Sequence, residues 1–249
     1  MKGRRSFEDE QLVKHYFQGS NHLINCVIDL RTKASALSSQ LTQSEGEFYG
    51  NCKVYHSNIL SSSEIQELLN GFKTALRVKD ISTSAYLQAA SLYKRQIQSF
   101  LRPAIFAARV VGIEGASVLL HCEDGRDITI IVSCLAKLLL DPFYRTLHGF
   151  SILMQEECID MGFTFTQPLL TILLDCIHQI QCQFVDEFEF TGEWLMDGVE
   201  NVWQQAPPLS AKNPKFNPKK EIIIATAASP FIEHWVELYE ADSHENKLK

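Results

Sequence analysis

Apolar positions recur at helical spacing along most of this chain and gather into short unbroken runs at only a few places. A helix-like pattern covers residues 8–17, and an apolar run over 24–30, carrying Asp29 near its end, predicts a buried strand. Residues 32–50 are polar and read as a connection with one helical piece. Ser61, Ser62 and Ser63 offer N-caps ahead of Glu64, and Ile65, Leu68, Leu69, Phe72 and Leu76 then share one face of a helix. Over 84–112 the series Tyr86, Leu87, Ala90, Leu92, Tyr93, Ile97, Phe100 and Leu101 is again helical. Pro103 is expected to break or kink that helix near Arg102, because proline has no N–H to donate and its ring crowds the preceding turn. The segment after Pro103 leads into a short buried strand over 116–121.

Further helices are predicted at 129–140, 149–160, 168–184 and 191–203. Pro207, Pro208, Pro214 and Pro218 among polar residues argue against regular structure over 204–220, which reads as a Pro-rich surface linker. Beyond it, 221–228 fits a strand, and Phe231, Trp235 and Leu238 give 230–239 a helical spacing. Much helix around few strands predicts an α/β domain, with a central sheet flanked by many helices. Residues 1–203 form its main body, and 221–249 extend the same domain. No heptad pattern is sustained before Lys249.

Composition narrows the functional classes. A chain of 249 residues with 45% hydrophobic content can bury one substantial core. The net charge of −7, without a long Lys/Arg run, favours neither nucleic acid nor an anionic membrane, so a lipid headgroup would need a local basic patch. Lys94, Arg95 and Arg102 read as a solvated helix face. Apolar stretches shorter than ~20 residues, and a start without an apolar signal region, predict a soluble, cytoplasmic protein with no transmembrane segment. Seven cysteines without CxxC spacing fit free thiols in a reducing compartment. Cys176 and Cys182 read as core residues, the histidines are scattered, and neither metal nor cofactor is assigned.

The candidate chemistry lies in His121-Cys122-Glu123-Asp124-Gly125-Arg126-Asp127-Ile128-Thr129. A cysteine after a strand, a tight turn at Asp124-Gly125 and a following helix resemble the signature loop of cysteine phosphatases. In such a loop backbone N–H groups and a helix N-terminus form an anion site that lowers the thiol pKa. The sixth position after Cys122 should hold an arginine that grips two phosphoryl oxygens, yet it is Ile128. Losing such a group costs about 3–4 kcal/mol, or roughly 10²–10³ in rate. Arg126 falls two positions early and is not counted as a substitute, while Glu123 places an acid beside the thiol. Taken alone, the loop leaves open that Cys122 is one buried cysteine among seven.

The flanks extend the likeness. Residues 114–129, beginning Glu114-Gly115-Ala116-Ser117-Val118, and the later Leu138-Leu139-Leu140-Asp141-Pro142-Phe143-Tyr144-Arg145-Thr146-Leu147-His148-Gly149-Phe150 resemble the myotubularin family. That family carries an EGASVLVHCSDGWDRT-like loop and an LLDPYYRTIxGF-like continuation. Weaker matches, including Asp29-Leu30-Arg31, Val54-Tyr55-His56, Asp175-Cys176-Ile177 and Phe188-Glu189-Phe190, spread the resemblance over most of 4–203.

The resemblance implies a phosphatase domain acting on the 3-phosphate of phosphatidylinositol 3-phosphate and the 3,5-bisphosphate, with Cys122 matching the nucleophile and Asp127 the acid. Glu123 stands where the family usually has Ser, Arg126 where it has Trp, and Ile128 where it has the arginine. Asp124, Gly125 and Thr129 keep the pattern. Phe163 occupies a usual His position, and the lipid-binding PH-GRAM domain and first part of the catalytic domain have no counterpart, so the domain is expected to be incomplete at its N-terminus. Arg145 is expected to hold an ion pair or carbonyls. The resulting expectation is a catalytically inactive, pseudophosphatase-like member, one that regulates or scaffolds phosphoinositide metabolism. Its expected partners are an active myotubularin and a phosphoinositide headgroup, with peripheral endosomal placement. The alternatives are an active phosphatase that fills the pocket with Arg126 or an arginine from elsewhere, and a nonfunctional fragment.

Overall fold

A computed structural model of the chain describes residues 7–17, 25–42, 52–77, 84–123, 125–161, 167–197, 212–228, 231–233 and 235. Strand β1, Asn25–Asp29, is buried along its whole length, as its unbroken apolar run requires of a central parallel strand. It is flanked by β2, Cys52–His56, and β3, Val118–His121, in a three-stranded parallel sheet of order β2-β1-β3. The registers align Asp29 with His56 on one side and with His121 on the other, so three polar side chains end the strands at one level. Loops that build a site leave from this carboxyl edge, as in other open parallel sheets.

Helices α1, Phe7–Phe17, and α2, Lys33–Thr42, precede the main helical layer. That layer comprises α3, Ser62–Arg77, α4, Ser84–Gly112, α5, Asp127–Leu140, and α7, Gln167–Gln183, which pack on one another. α5 is apolar almost all round because it lies in the middle, with Ile131, Val132, Leu135, Leu138 and Leu139 fully buried. A 3₁₀ turn, Pro142–Arg145, leads into α6, Leu147–Met154, and then a single wide π turn, Gln155–Ile159. Gly149 is demanded by this junction, since a Cβ there would sit 1.9 Å from the Phe143 carbonyl oxygen. α8, Gly192–Asp197, closes the layer; the remainder of the helix expected over 191–203 lies outside the described residues.

Several expectations are corrected. α4 runs through Pro103 without a break. Pro103 is buried and Phe100, Leu101 and Ala104 beside it are fully buried, so packing worth about 1.5–3 kcal/mol per large side chain outweighs the roughly 3 kcal/mol cost of an internal proline. Cys182 is exposed on the outer face of α7, its sulfur 3.4 Å from His178 Nε2, whereas Cys176 is in the core. Residues 221–228 form no strand. Glutamine side chains take the place of a neighbouring strand there: Gln98 Nε2 donates to the Ala227 carbonyl at 2.9 Å, and Gln183 bonds both Thr226 N–H and C=O at 2.8 and 3.0 Å. Of the expected 230–239 helix only 231–233 and 235 are described, with Ile232 and Trp235 buried.

Residues 212–228 therefore lie as a strap across the helices, fastened by one buried cation. Arg145 is 0% exposed, and its Nη2 donates to the Lys220 and Glu221 carbonyls at 2.6 and 2.9 Å. Its Nη1 lies 3.8 Å from Glu187 Oε2, and Glu187 in turn accepts the Lys219 N–H at 3.2 Å. The carbonyl-holding role expected of Arg145 is what the geometry provides. Replacing Arg145 by Met leaves Glu187 buried and unpaired, and we expect a loss of about 3–5 kcal/mol in denaturant unfolding, together with faster proteolysis within 212–228.

A second buried group sets a pH dependence. Asp175, on α7, accepts hydrogen bonds from the Tyr93 hydroxyl and, at 2.6 Å, from Gln179 Nε2, and burial raises its pKa to about 7. Because the folded pKa lies above the unfolded value of 3.8, folding takes up a proton between the two. The stabilisation is full below the unfolded value and fades as pH rises through about 7, a swing on the order of 4 kcal/mol. Asp175→Asn should flatten the stability profile between pH 5 and 8, measured by urea midpoints; an unchanged slope would contradict this assignment.

Candidate functional site

The site grows from the carboxyl edge of the sheet. Asp29 ends β1 at 1% exposure, and an ionised carboxylate there requires partners. Arg31 supplies them in a fork, with Nε to Oδ1 at 2.9 Å, Nη2 to Oδ2 at 2.8 Å, and its own backbone N–H to Oδ1 at 3.0 Å. His56 Nδ1 and His121 Nε2 lie 3.3 and 4.0 Å from Oδ2. Burial opposes ionisation of Asp29, yet the Arg31 hydrogen bonds and the charge of His121 overcome it and hold the carboxyl below its ordinary value. This cluster fixes the last residues of all three strands, and Cys122 follows directly on β3.

Past Cys122 the chain turns through Gly125, at φ +71°, and Asp127, at φ +31°, before α5 begins. A left-handed backbone at a residue other than glycine is strained, and Asp tolerates it better than most. Ser62 Oγ, from the first turn of α3, donates to Asp127 Oδ2 at 3.0 Å and anchors the bent residue. On the other side Ser35 of α2 donates to Glu123. The loop is thus clasped from two helices by serine–carboxylate hydrogen bonds.

Two cavities flank it. One, of about 620 Å³, is lined by Arg31, Thr32, Ser35, Ile59, Ser61, Ser62, Ser63, Glu64, Cys122, Glu123, Asp127 and Ile128. The other, of about 590 Å³, is lined by Val118, Leu120, Gly125, Arg126, Asp127, Thr129, Ile130, Ser133, Glu157 and Met161. The structure therefore brings Cys122, Glu123, Asp127 and Ile128 together. Gly125, Arg126 and Thr129 border the opposite cavity, and Asp124 lies outside the described residues. Thr129 Oγ1 is buried without a hydrogen-bond partner there.

The chemistry of the Cys122 cavity is more acidic than basic. Glu64, Glu123 and Asp127 line it, and the Arg31 guanidinium is committed to Asp29. Glu64 is held below its ordinary pKa by the Ser61 hydroxyl and backbone N–H, which bond it at 2.6 and 2.8 Å in a capping box at the start of α3. The Cys122 thiol donates to the Arg126 carbonyl at 3.8 Å. Ile128, partly buried against the core, adds hydrocarbon to the cavity wall.

Reasoning on the loop alone missed Arg31, Thr32, Ser35 and the Ser61–Ser63 wall. The signals were present: Asp29-Leu30-Arg31 is among the family-like segments, and Ser61, Ser62 and Ser63 had been assigned only to capping. The expected departure at Phe163 falls outside the described residues. Among the described residues no three His, Cys, Asp or Glu side chains converge as a metal would require, and no helix is long and apolar enough to cross a membrane.

The myotubularin-like phosphatase domain matches residues 1–205. The human phosphatidylinositol-3,5-bisphosphate 3-phosphatase MTMR8 is 32% identical over 220 residues, covering 80% of this chain and 31% of that protein. The mouse phosphatidylinositol-3-phosphate phosphatase MTMR7 is 32% identical over 220 residues, covering 80% and 33%. The mouse phosphatidylinositol-3,5-bisphosphate 3-phosphatase MTMR6 is 32% identical over 227 residues, covering 80% and 35%. The chain spans about a third of the length of these relatives. With the Cys122 loop set between strand and helix at the sheet's carboxyl edge, and with this match over most of its length, the chain belongs to the myotubularin-like phosphatase family.

Proposed function

We propose that this chain is a catalytically silent member of its family that acts in phosphoinositide metabolism by binding rather than by hydrolysis. The observation that carries the reading is the separation of charge around the loop: Cys122 shares its cavity with Ile128 and three carboxylates, while Arg126 borders the cavity on the far side. A phosphomonoester entering beside Cys122 would meet net negative charge, and Arg31, the arginine that lines this cavity among the described residues, is bonded to Asp29. The relatives named as 3-phosphatases supply the lipid class, a phosphatidylinositol 3-phosphate or 3,5-bisphosphate. Association with an active member of the family is the route by which a silent domain would regulate that chemistry, at a cytoplasmic or endosomal membrane surface.

A second reading keeps activity and has one observation in its favour, since Arg31 also lines the Cys122 cavity. To grip phosphate, Arg31 would have to abandon Asp29 and leave that carboxylate buried and short of partners, which costs more than a surface ion pair returns. The silent reading is preferred on that balance.

Phosphate release from phosphatidylinositol 3-phosphate by the purified chain tests it. We expect no release that depends on Cys122, and a rise of roughly 10²–10³-fold over background in Ile128→Arg, abolished again when Cys122→Ser is added. Turnover by the original chain that disappears in Cys122→Ser would overturn the proposal, and its further loss in Arg31→Leu would identify the cation.

A further inference from the structure

The net charge of −7 hides one concentration of positive charge. On the strap, Lys212, Lys215, Lys219 and Lys220 are all exposed, and no acidic residue stands between the first and the last of them. The backbone that carries them is fixed. Asn213 donates its N–H to the Glu189 carbonyl at 2.6 Å, and its Nδ2 to the Val185 and Phe188 carbonyls at 2.7 and 3.0 Å. The Asn217 N–H donates to the Asp186 carbonyl at 2.8 Å, and the Lys219 and Lys220 N–H groups reach the Glu187 carboxylate at 3.2 and 3.4 Å. Lys212 Nζ lies 3.4 Å from Glu189, and Lys220 Nζ stands 5.0 Å over the Phe184 ring. The Lys215 and Lys219 ammonium groups have no ion-pair partner among the described residues. The fold thus holds like charges together against their repulsion, by bonds made through the backbone rather than through the ammonium groups.

We propose that this lysine face is a docking surface for an anionic lipid bilayer. Its charge is carried by lysine alone. A compact ammonium suits a diffuse negative surface, whereas recognition of a single carboxylate or phosphate favours the planar fork of arginine. Apolar side chains lie among the cations, with Val185 45% exposed and Phe184 and Phe216 half-buried, as contact with the boundary between headgroups and hydrocarbon requires. Asp186 and Glu221 border the face, so the attraction is concentrated at Lys215, Lys219 and Lys220. The rest of the chain is net negative, and a negative surface therefore steers the molecule to approach by the strap. The face is separate from the Cys122 cavity. The Ile223 N–H of the strap donates to the Leu139 carbonyl at the far end of α5, about 20 Å along that 14-residue helix from the loop. The docking surface gives the membrane contact proposed above a place on the molecule, and it stands whether or not Cys122 is silent.

The test sediments the purified full chain at low salt with vesicles of about three parts phosphatidylcholine to one part phosphatidylserine, and with phosphatidylcholine vesicles alone. Neither contains a phosphoinositide, so the Cys122 cavity is offered no ligand of the class proposed for it. The expected result is retention on the anionic vesicles only, falling steeply as salt is added. Replacing Lys215, Lys219 and Lys220 together by Gln should weaken it roughly 10²-fold, at about 5-fold per lysine. The same change of net charge made at Lys14, Lys33 and Lys53, which are exposed on α1, α2 and β2, should leave binding near that of the original chain. A footprint on the unsubstituted chain decides the question without variants: bound vesicles should shield Lys215, Lys219 and Lys220 from a water-soluble acylating reagent and leave Lys14, Lys33 and Lys53 reactive. Equal binding to both vesicles, equal loss in the two triple variants, or shielding spread evenly over all six lysines would overturn the proposal. Retention on polyglutamate or on an RNA homopolymer, with none on the anionic vesicles, would overturn it as well.

Discussion

The arrangement of the whole site depends on one buried carboxylate. Asp29 ends the central strand, and its charge is tolerable only because Arg31 forks onto it and two imidazoles from the flanking strands turn toward it. Those partners are register neighbours, so the same side chain fixes the ends of β1, β2 and β3 and with them the point from which the Cys122 loop departs. The pairing also engages Arg31, the guanidinium that lines the Cys122 cavity among the described residues.

Around that edge the chain bends at Gly125 and Asp127 into the start of α5, and Ile128 packs against the core. Ser35 and Ser62 clasp the carboxylates of Glu123 and Asp127 from two separate helices. These bonds favour one closed arrangement of the loop. Both carboxylates line the Cys122 cavity, so the serines that order the loop also order that wall.

Periodicity revealed the elements that bury one face or all of themselves. β1 and the helices α3, α4, α5 and α7 have apolar positions at the spacing their packing demands. β2 gave no such signal, because Lys53, Val54, Tyr55 and His56 are all exposed on an edge strand and no alternation is needed. Residues 221–228, expected as a strand, form none for a related reason. The backbone of the strap is satisfied by Gln98, Gln183 and Arg145, side chains contributed from distant parts of the chain, and local pattern carries no record of such partners. The cavity wall was hidden likewise: Ser35 meets Glu123 across 88 residues and Ser62 meets Asp127 across 65, so only the fold shows that they share a space.

If the carboxylates and Ile128 around Cys122 keep a phosphoryl group out of that cavity, as proposed, oxyanion binding reveals it without relying on turnover. Titrating the purified chain with orthovanadate, which mimics the phosphoryl transition state on a cysteine thiolate, and following heat release is the most direct measurement. We expect no saturable binding at Cys122. Saturable binding that Cys122→Ser removes would contradict the proposed silence of the site.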